Sequence, residues 1–307
     1  MNCKLNISLP DGFLNAEERE GYLISAEMKR IWAVELDLLN EFQRVARKHG
    51  LKYIANGGTM LGAVRHHGFI PWDDDIDLMM MRSEYDRLCR LAPQEFRHPY
   101  FFQTEHTDPG VLRCHAQLRN SETTAILNTE RSGRLRFNQG IFIDIFPLDA
   151  VPDQEDVWEK ECRRAQRYYE LMNRFGSMSS HYLADPRMDY YQVKRLLHAV
   201  ASPLWERLAR HYFNLFEREC RRFNGEPTQK LSLYCWGYKY KKLHRSRADH
   251  EETTEMDFEF LKVPVCRNYD HALTEVFGDW RTPVRDSSMH GNVLFDTERP
   301  YTYYLDD

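Results

Sequence analysis

The chain has little of what would send a protein into a membrane, onto nucleic acid or out of the cell. No window approaches the roughly 18 uninterrupted apolar residues of a spanning helix, so none is expected. The opening MNCKLNISLPDGFLNAEERE has no basic segment followed by an apolar one, so it does not read as a signal peptide. Basic and acidic side chains number 42 and 47, a net charge of −5, which offers no polycationic surface to nucleic acid. The cysteines are Cys3, Cys89, Cys114, Cys162, Cys220, Cys235 and Cys266, an odd and scattered set without a CxxC. That argues against a zinc cage or a disulfide framework and for thiols in a reducing compartment. A cytoplasmic protein is expected, with peripheral contact at the inner face of a membrane left open.

What is present suits an enzyme of one catalytic unit. The 307 residues can bury a large core, and no low-complexity linker or internal repeat divides them. Residues 25–150 read as an α/β core. Apolar residues at Ile31, Val34, Leu38, Phe42 and Val45 predict a helix over about 25–48, stopped at Gly50. LKYIAN reads as a short strand, TMLGAVRHHG as a short helix and IDLMMM as a strand, with a further helix opening near Ser83. YFFQTE, RCHAQLRN, TAILN and GIFIDIFPL are expected strands. Residues 151–255 read as a helical elaboration, and 256–307 as a return to the core that includes a helix ending at Gly278.

The most informative stretch is GFIPWDDDIDLMMM, residues 68–81, with Asp73, Asp74, Asp75 and Asp77 in five positions. Side chains two apart along a strand share a face. A strand beginning near Asp73 would therefore align Asp73, Asp75 and Asp77. Carboxylates that close repel unless a cation lies between them, and Mg²⁺ or Mn²⁺ held by an Asp-x-Asp pair relieves this. A solvated acidic turn is the plainer alternative. A calcium loop is excluded, because the position that needs glycine is Leu78 and the loop would run through LMMM.

Two other stretches bear on that choice. Gly57-Gly58-Thr59 lies between an expected strand and helix, where glycine admits close backbone approach and a helix N-terminus offers N–H groups to phosphate. In GIFIDIFPLD, Asp144 stands in the middle of an apolar strand. A buried carboxylate must be paired, protonated or metal-bound. If this strand lies beside IDLMMM, Asp75, Asp77 and Asp144 converge, the pattern of nucleotidyltransferase-like folds that move phosphoryl groups with metal ions. A salt bridge from Asp144 to a core Arg or Lys is the rival.

The motifs GGTMLGAVRHHGFIPWDDDIDLMMMRSEYDRL and GIFIDIFPLD closely resemble the LicD family of phosphorylcholine transferases, whose domain is shared with fukutin and fukutin-related protein. FEFLKVPVCRNYDHALTEVFGDWRTP, followed by His290, resembles the family's C-terminal series, so the resemblance covers about residues 25–305. Phe277 departs from it, standing where tyrosine is usual, and the cysteines of the fukutin-related zinc site have no counterpart.

The resemblance implies a nucleotidyltransferase-like mixed sheet with a helical elaboration (α/β, α+β). It further implies transfer of a substituted phosphate, most often phosphocholine from CDP-choline, to a glycan or glycolipid hydroxyl with release of CMP. Under it, Asp75, Asp77 and Asp144 are the catalytic carboxylates and ligands of Mg²⁺ or Mn²⁺. Gly57, Gly58 and Thr59 line the nucleotide site, and Arg65, His66, Asp73, Asp74, Arg119 and His290 are binding candidates. Asp144 as ligand and Asp144 as general base remain rivals. The run Lys239, Lys241, Lys242, Arg245 and Arg247 reads as a solvated basic stretch or as a contact for an anionic acceptor. Nucleotidyl transfer with release of pyrophosphate, and an inactive glycan- or metal-binding module, are the competing functions.

Overall fold

The computed structural model describes residues 4–130, 137–178, 192–234, 244–285 and 293–304. A small hairpin, β1 (Glu17–Arg19) and β2 (Tyr22–Ile24), precedes the long helix α1 (Ala26–His49). The α1 boundaries follow from local chemistry. Ser25 caps it by accepting the Met28 N–H at 3.1 Å, and Gly50 ends it in the left-handed region at φ 60°. Arg47, Lys48 and His49 place positive charge against the negative end of the helix dipole. Trp32, Leu36, Leu39 and Phe42 are wholly buried along it.

Then follow β3 (Ile54–Ala55), α2 (Gly57–Arg65), β4 (Asp77–Met81), α3 (Arg82–Glu95), β5 (Tyr100–Gln103), β6 (Ala116–Asn120), β7 (Thr124–Ile126) and the long β8 (Ile141–Val151). Helices α4 (Glu155–Ser177) and α5 (Gln192–Cys220) pack antiparallel, since Arg164 meets Glu219, Tyr169 meets Phe216 and Phe175 stacks on Trp205. The chain ends with β9 (Lys230–Ser232), β10 (His244–Ser246), the hairpin β11 (Thr253–Phe258) and β12 (Leu261–Cys266), helix α6 (Tyr269–Phe277) and β13 (Leu294–Asp296).

Seven strands form one mixed sheet around β8, whose eleven residues are all buried. A strand covered on both faces reads as a nearly continuous apolar run, which is why IFIDIFPL looked the way it did. Strand β4 runs parallel to β8 along one edge. The other edge takes β6 and then β9, both antiparallel, while β3, β5 and β10 extend the sheet. The expected mixed α/β class is therefore the observed one. Among the described residues, region 151–255 is not helical throughout: β9 and β10, beyond α5, return to the sheet.

Strand β4 begins at Asp77, not near Asp73. Pairing starts where the Asp144 N–H reaches the Ile76 carbonyl and the Asn56 N–H reaches the Asp77 carbonyl, each at 2.9 Å, whereas the Asp73 N–H turns back to the Ile70 carbonyl at 2.9 Å. Asp73–Ile76 therefore form the loop that delivers the chain to the sheet, and no shared strand face aligns Asp73 and Asp75 with Asp77. The C-terminal hairpin holds this loop's approach. At its turn the Glu259 carboxylate accepts from the Phe69 N–H at 3.1 Å and from Arg19 at 2.6 Å. Cys89, Cys114, Cys162, Cys220 and Cys266 are unbridged. Cys3, Cys235, Lys239, Lys241, Lys242 and His290 lie outside the described residues.

Candidate functional site

The site is built where the first turn of α2 meets the ends of β4 and β8. In the parallel register Asp77 faces Asp144, and in the antiparallel register Asp144 faces Gln117 of β6. Three neighbouring strands thus set Asp77, Asp144 and Gln117 abreast. Thr59, one turn into α2, accepts the Asp77 N–H at 2.8 Å and ties helix to strand. The glycines are there for room. A Cβ on Gly57 would lie 3.3 Å from Asp77 Oδ2, and one on Gly58 would lie 2.5 Å from Asp73 Oδ2. Gly57 also takes a positive φ of 52°, which favours glycine.

The loop ahead of β4 adds more negative charge. Ligand oxygens of Asp73, Asp74 and Asp75 lie within 4.8 Å of one another, and the Asp73 carbonyl accepts from Trp32 Nε1 at 3.0 Å. Burial pushes the pKa of Asp73 well above the usual carboxylate range, and Asp75 raises it further. Asp77 is likewise pushed well up, first by burial, then by Asp144 and Asp73. Asp73 is the link between the loop aspartates and the Asp77–Asp144 pair.

The Asp144 carboxylate is fixed from behind. Its Oδ1 accepts from Gln117 Nε2 at 2.7 Å and lies 3.2 Å from His115 Nε2. The other ring nitrogen, Nδ1, is 2.9 Å from the Arg113 carbonyl, which can only accept, so Nδ1 carries a proton. The Nε2 contact with Asp144 is then a hydrogen bond only if Nε2 is protonated too, or if Asp144 is. Arg119 supports this row. It is wholly buried and donates to Gln103 Oε1, to the Gly140 carbonyl at 2.6 Å and to Gln117 Oε1. Burial lowers its pKa to about 9. It reaches Asp144 through Gln117 and presents no exposed surface to a ligand.

Residues 50–172 match the profile of the family described as LicD/FKTN/FKRP, nucleotidyltransferase domain. The chain carries a LicD-type domain. It is 26% identical over 267 residues to the lipopolysaccharide cholinephosphotransferase LicD of Haemophilus influenzae, a match that covers 83% of this chain and 92% of that protein. Shorter stretches resemble uncharacterized proteins of two Rickettsia species. One in Rickettsia prowazekii is 37% identical over 82 residues, 26% of this chain and 29% of its own length. Another in Rickettsia typhi is 36% identical over 87 residues, 26% and 28% respectively.

The LicD-type domain contains every aspartate named above together with Gly57, Gly58, Thr59, His115, Gln117 and Arg119. Arg65 and His66 also fall in it, but the structure sets them at the far end of α2, about 12 Å from Gly57 at the usual helical rise. There Arg65 donates to the Trp280 carbonyl at 2.6 Å and to His66 Nε2 at 2.8 Å, and His66 Nδ1 faces Glu20 at 3.0 Å. Burial lowers the pKa of both side chains, with Arg65 adding to the shift of His66. Of the basic run, Arg245 is buried, and Arg247 donates to the Thr228 carbonyl and to its Oγ1 at 3.1 Å.

Three residues at or near the site were not singled out from the sequence. His115 and Gln117 sit in an ordinary strand segment, and only the register of β6 on β8 reveals them. Glu35 of α1 is 1% exposed, and its Oε2 has no hydrogen-bond partner. A signal for it existed: Glu35 interrupts the apolar stripe Ile31, Leu38, Phe42 at helical spacing.

Proposed function

We propose that this protein is a metal-dependent phosphotransferase that moves phosphocholine from CDP-choline to a hydroxyl of a cell-surface glycan, such as lipopolysaccharide, and releases CMP. The observation that carries the reading is the pairing of Asp77 with Asp144 on adjacent parallel strands, beside the first turn of α2, in a chain similar along most of its length to LicD of Haemophilus influenzae. That relative's name supplies the transferred group and the acceptor class.

The donor set suits Mg²⁺ or Mn²⁺, since it is all hard carboxylate oxygen and like charges are packed against one another in a half-buried setting. Asp77, Asp144 and Asp75 are the residues that would hold the ion, with Asp73 between them. A bound divalent ion neutralises charge that develops on the diphosphate as CMP leaves. The protein's own part is orientation. Gln117 and His115 hold the Asp144 carboxylate, Thr59 holds Asp77, and the N–H groups of the first α2 turn face the region where phosphate oxygens would lie. The acceptor hydroxyl must lose a proton as it attacks, and Asp144 would take it only in place of its role as an ion ligand.

Among the described residues no helix is long and apolar enough to cross a membrane, so action on a lipid-linked acceptor would require peripheral contact. The deciding experiment measures CMP release from CDP-choline, CDP-ethanolamine, CDP-glycerol and CDP-ribitol, with Mg²⁺ or Mn²⁺ and a glycan extract as acceptor. Metal-dependent CMP release from CDP-choline, lost in Asp77→Asn, is expected. Pyrophosphate in place of CMP would overturn the reading in favour of nucleotidyl transfer.

A further inference from the structure

The carboxyl group with the least support near this site belongs to a helix outside the LicD-type domain. Trp32 and Glu35 lie one turn apart on the same face of α1, and Trp32 is hydrogen-bonded to the loop through the Asp73 carbonyl at 3.0 Å. That contact turns this face of the helix toward Asp73–Asp75. Glu35 follows one turn later, 1% exposed, with its Oε2 unpartnered. Two other buried acids show the contrast: Asp149 is compensated by Arg82, and Asp37 by Tyr100 and two backbone N–H groups. Among the described residues no cation forms an ion pair with Glu35. Burial raises its pKa well above the carboxylate range, and Asp75, Asp74, Asp73 and Asp144, in that order, raise it further.

A buried carboxyl oxygen without a donor is costly, and contact with the surroundings of a bound ion is one way to compensate it in an acidic site. We propose that Glu35 is a positioning residue of the cation centre, backing the Asp73–Asp75 loop from α1 and setting the affinity of the site for its divalent ion. The proposal rests on the cation reading above. It assigns to α1 a part in ligand binding, beyond its part in the core.

The test is calorimetric titration of Mn²⁺ into metal-free protein, without donor or acceptor, for the wild type, Glu35→Gln and Glu35→Met, together with the metal-free Tm of each. Loss of a residue supporting a metal ligand weakens ion binding by about 10–100-fold, and that loss is expected in both variants, with a metal-free Tm equal to or above that of the wild type. Wild-type Mn²⁺ affinity in both variants would overturn the proposal and leave Glu35 a structural acid, whatever their Tm. If Glu35→Gln does not fold, Glu35→Met decides, because it removes the polar group and keeps the volume. Failure of the wild-type protein to bind Mn²⁺ would overturn the cation reading itself, an outcome distinct from failure of Glu35 alone.

Discussion

Asp144 and Asp149 lie five residues apart on β8, 3% and 0% exposed, and their surroundings are opposite. Asp149 receives two hydrogen bonds from Arg82, at 2.8 and 2.6 Å, and a third from Asn224 at 2.6 Å. Arg82 in turn meets Glu217 at 2.8 Å, and Glu217 is shared with Arg221. At that end of the strand each buried acid has its cation. At the other end Asp144 faces Asp77, with Asp73–Asp75 and Glu35 close by; it accepts from the Gln117 amide, and His115 Nε2 lies 3.2 Å away. Arg119 donates to Gln117 Oε1, and Gln117 in turn donates to Asp144. The same residue type at equal burial is thus a structural anchor in one place and a candidate binding group in the other. What separates them is the arginine that donates directly to Asp149 and the second carboxylate that faces Asp144.

The largest effect should come from removing the paired carboxylates of the candidate site. Asp77→Asn and Asp144→Asn are expected to lower CMP release by about a thousandfold or more, since several kcal/mol of charge stabilisation is at stake. Their metal-free Tm should be unchanged or higher, because repulsion is relieved. A clear fall in stability with activity intact would place Asp144 in the same class as Asp149 and break the comparison.

The compensated end should behave in the reverse way. Arg82→Met leaves Asp149 buried without its cation and is expected to cost about 3–5 kcal/mol in urea denaturation, with Mn²⁺ affinity retained. The double variant Arg82→Met/Asp149→Leu should recover much of that loss, because neither charge then remains buried alone. A double variant no more stable than Arg82→Met would count against the ion-pair account.

Glu105 offers a milder case between the two. It is buried, it accepts the Cys114 N–H, and burial raises its pKa to about 7 from 4.5. The folded state therefore holds a proton that the unfolded state releases between those values. The contribution to stability is fully present below about pH 4.5 and is lost as pH rises through 7, by at most about 3 kcal/mol. Urea denaturation at pH 5 and pH 8 should show that slope, and Glu105→Gln should flatten it. The smallest effect concerns Gly58. Alanine there would press on the Asp73 carboxylate and cost about 1–3 kcal/mol of stability, with a weaker response to Mn²⁺ if Asp73 is displaced. Full retention of both properties would show that Asp73 can move aside freely.

Much of the scaffold was legible because its signals are local. The amphipathic spacing of α1 with its stop at Gly50, the apolar run of β8, and the glycines before α2 all depend on residues a few positions apart. The density of aspartate in residues 73–77 and the isolation of Asp144 in an apolar strand also pointed to one region. The start of β4 is not legible in the sequence, because it is set by the bonds from Asp144 to the Ile76 carbonyl and from Asn56 to the Asp77 carbonyl, and nothing in PWDDDID marks that point. The sequence by itself determined the elements and the presence of buried acids. Which acid meets which partner was decided only by tertiary structure. The register of β8 against β4 and β6 gives Asp144 a second carboxylate and an amide, the docking of α3 gives Asp149 an arginine, and the packing of α1 carries Glu35 toward the aspartate loop. Those pairings join residues tens of positions apart, and their energies depend on burial and distance, which exist only once the chain has folded.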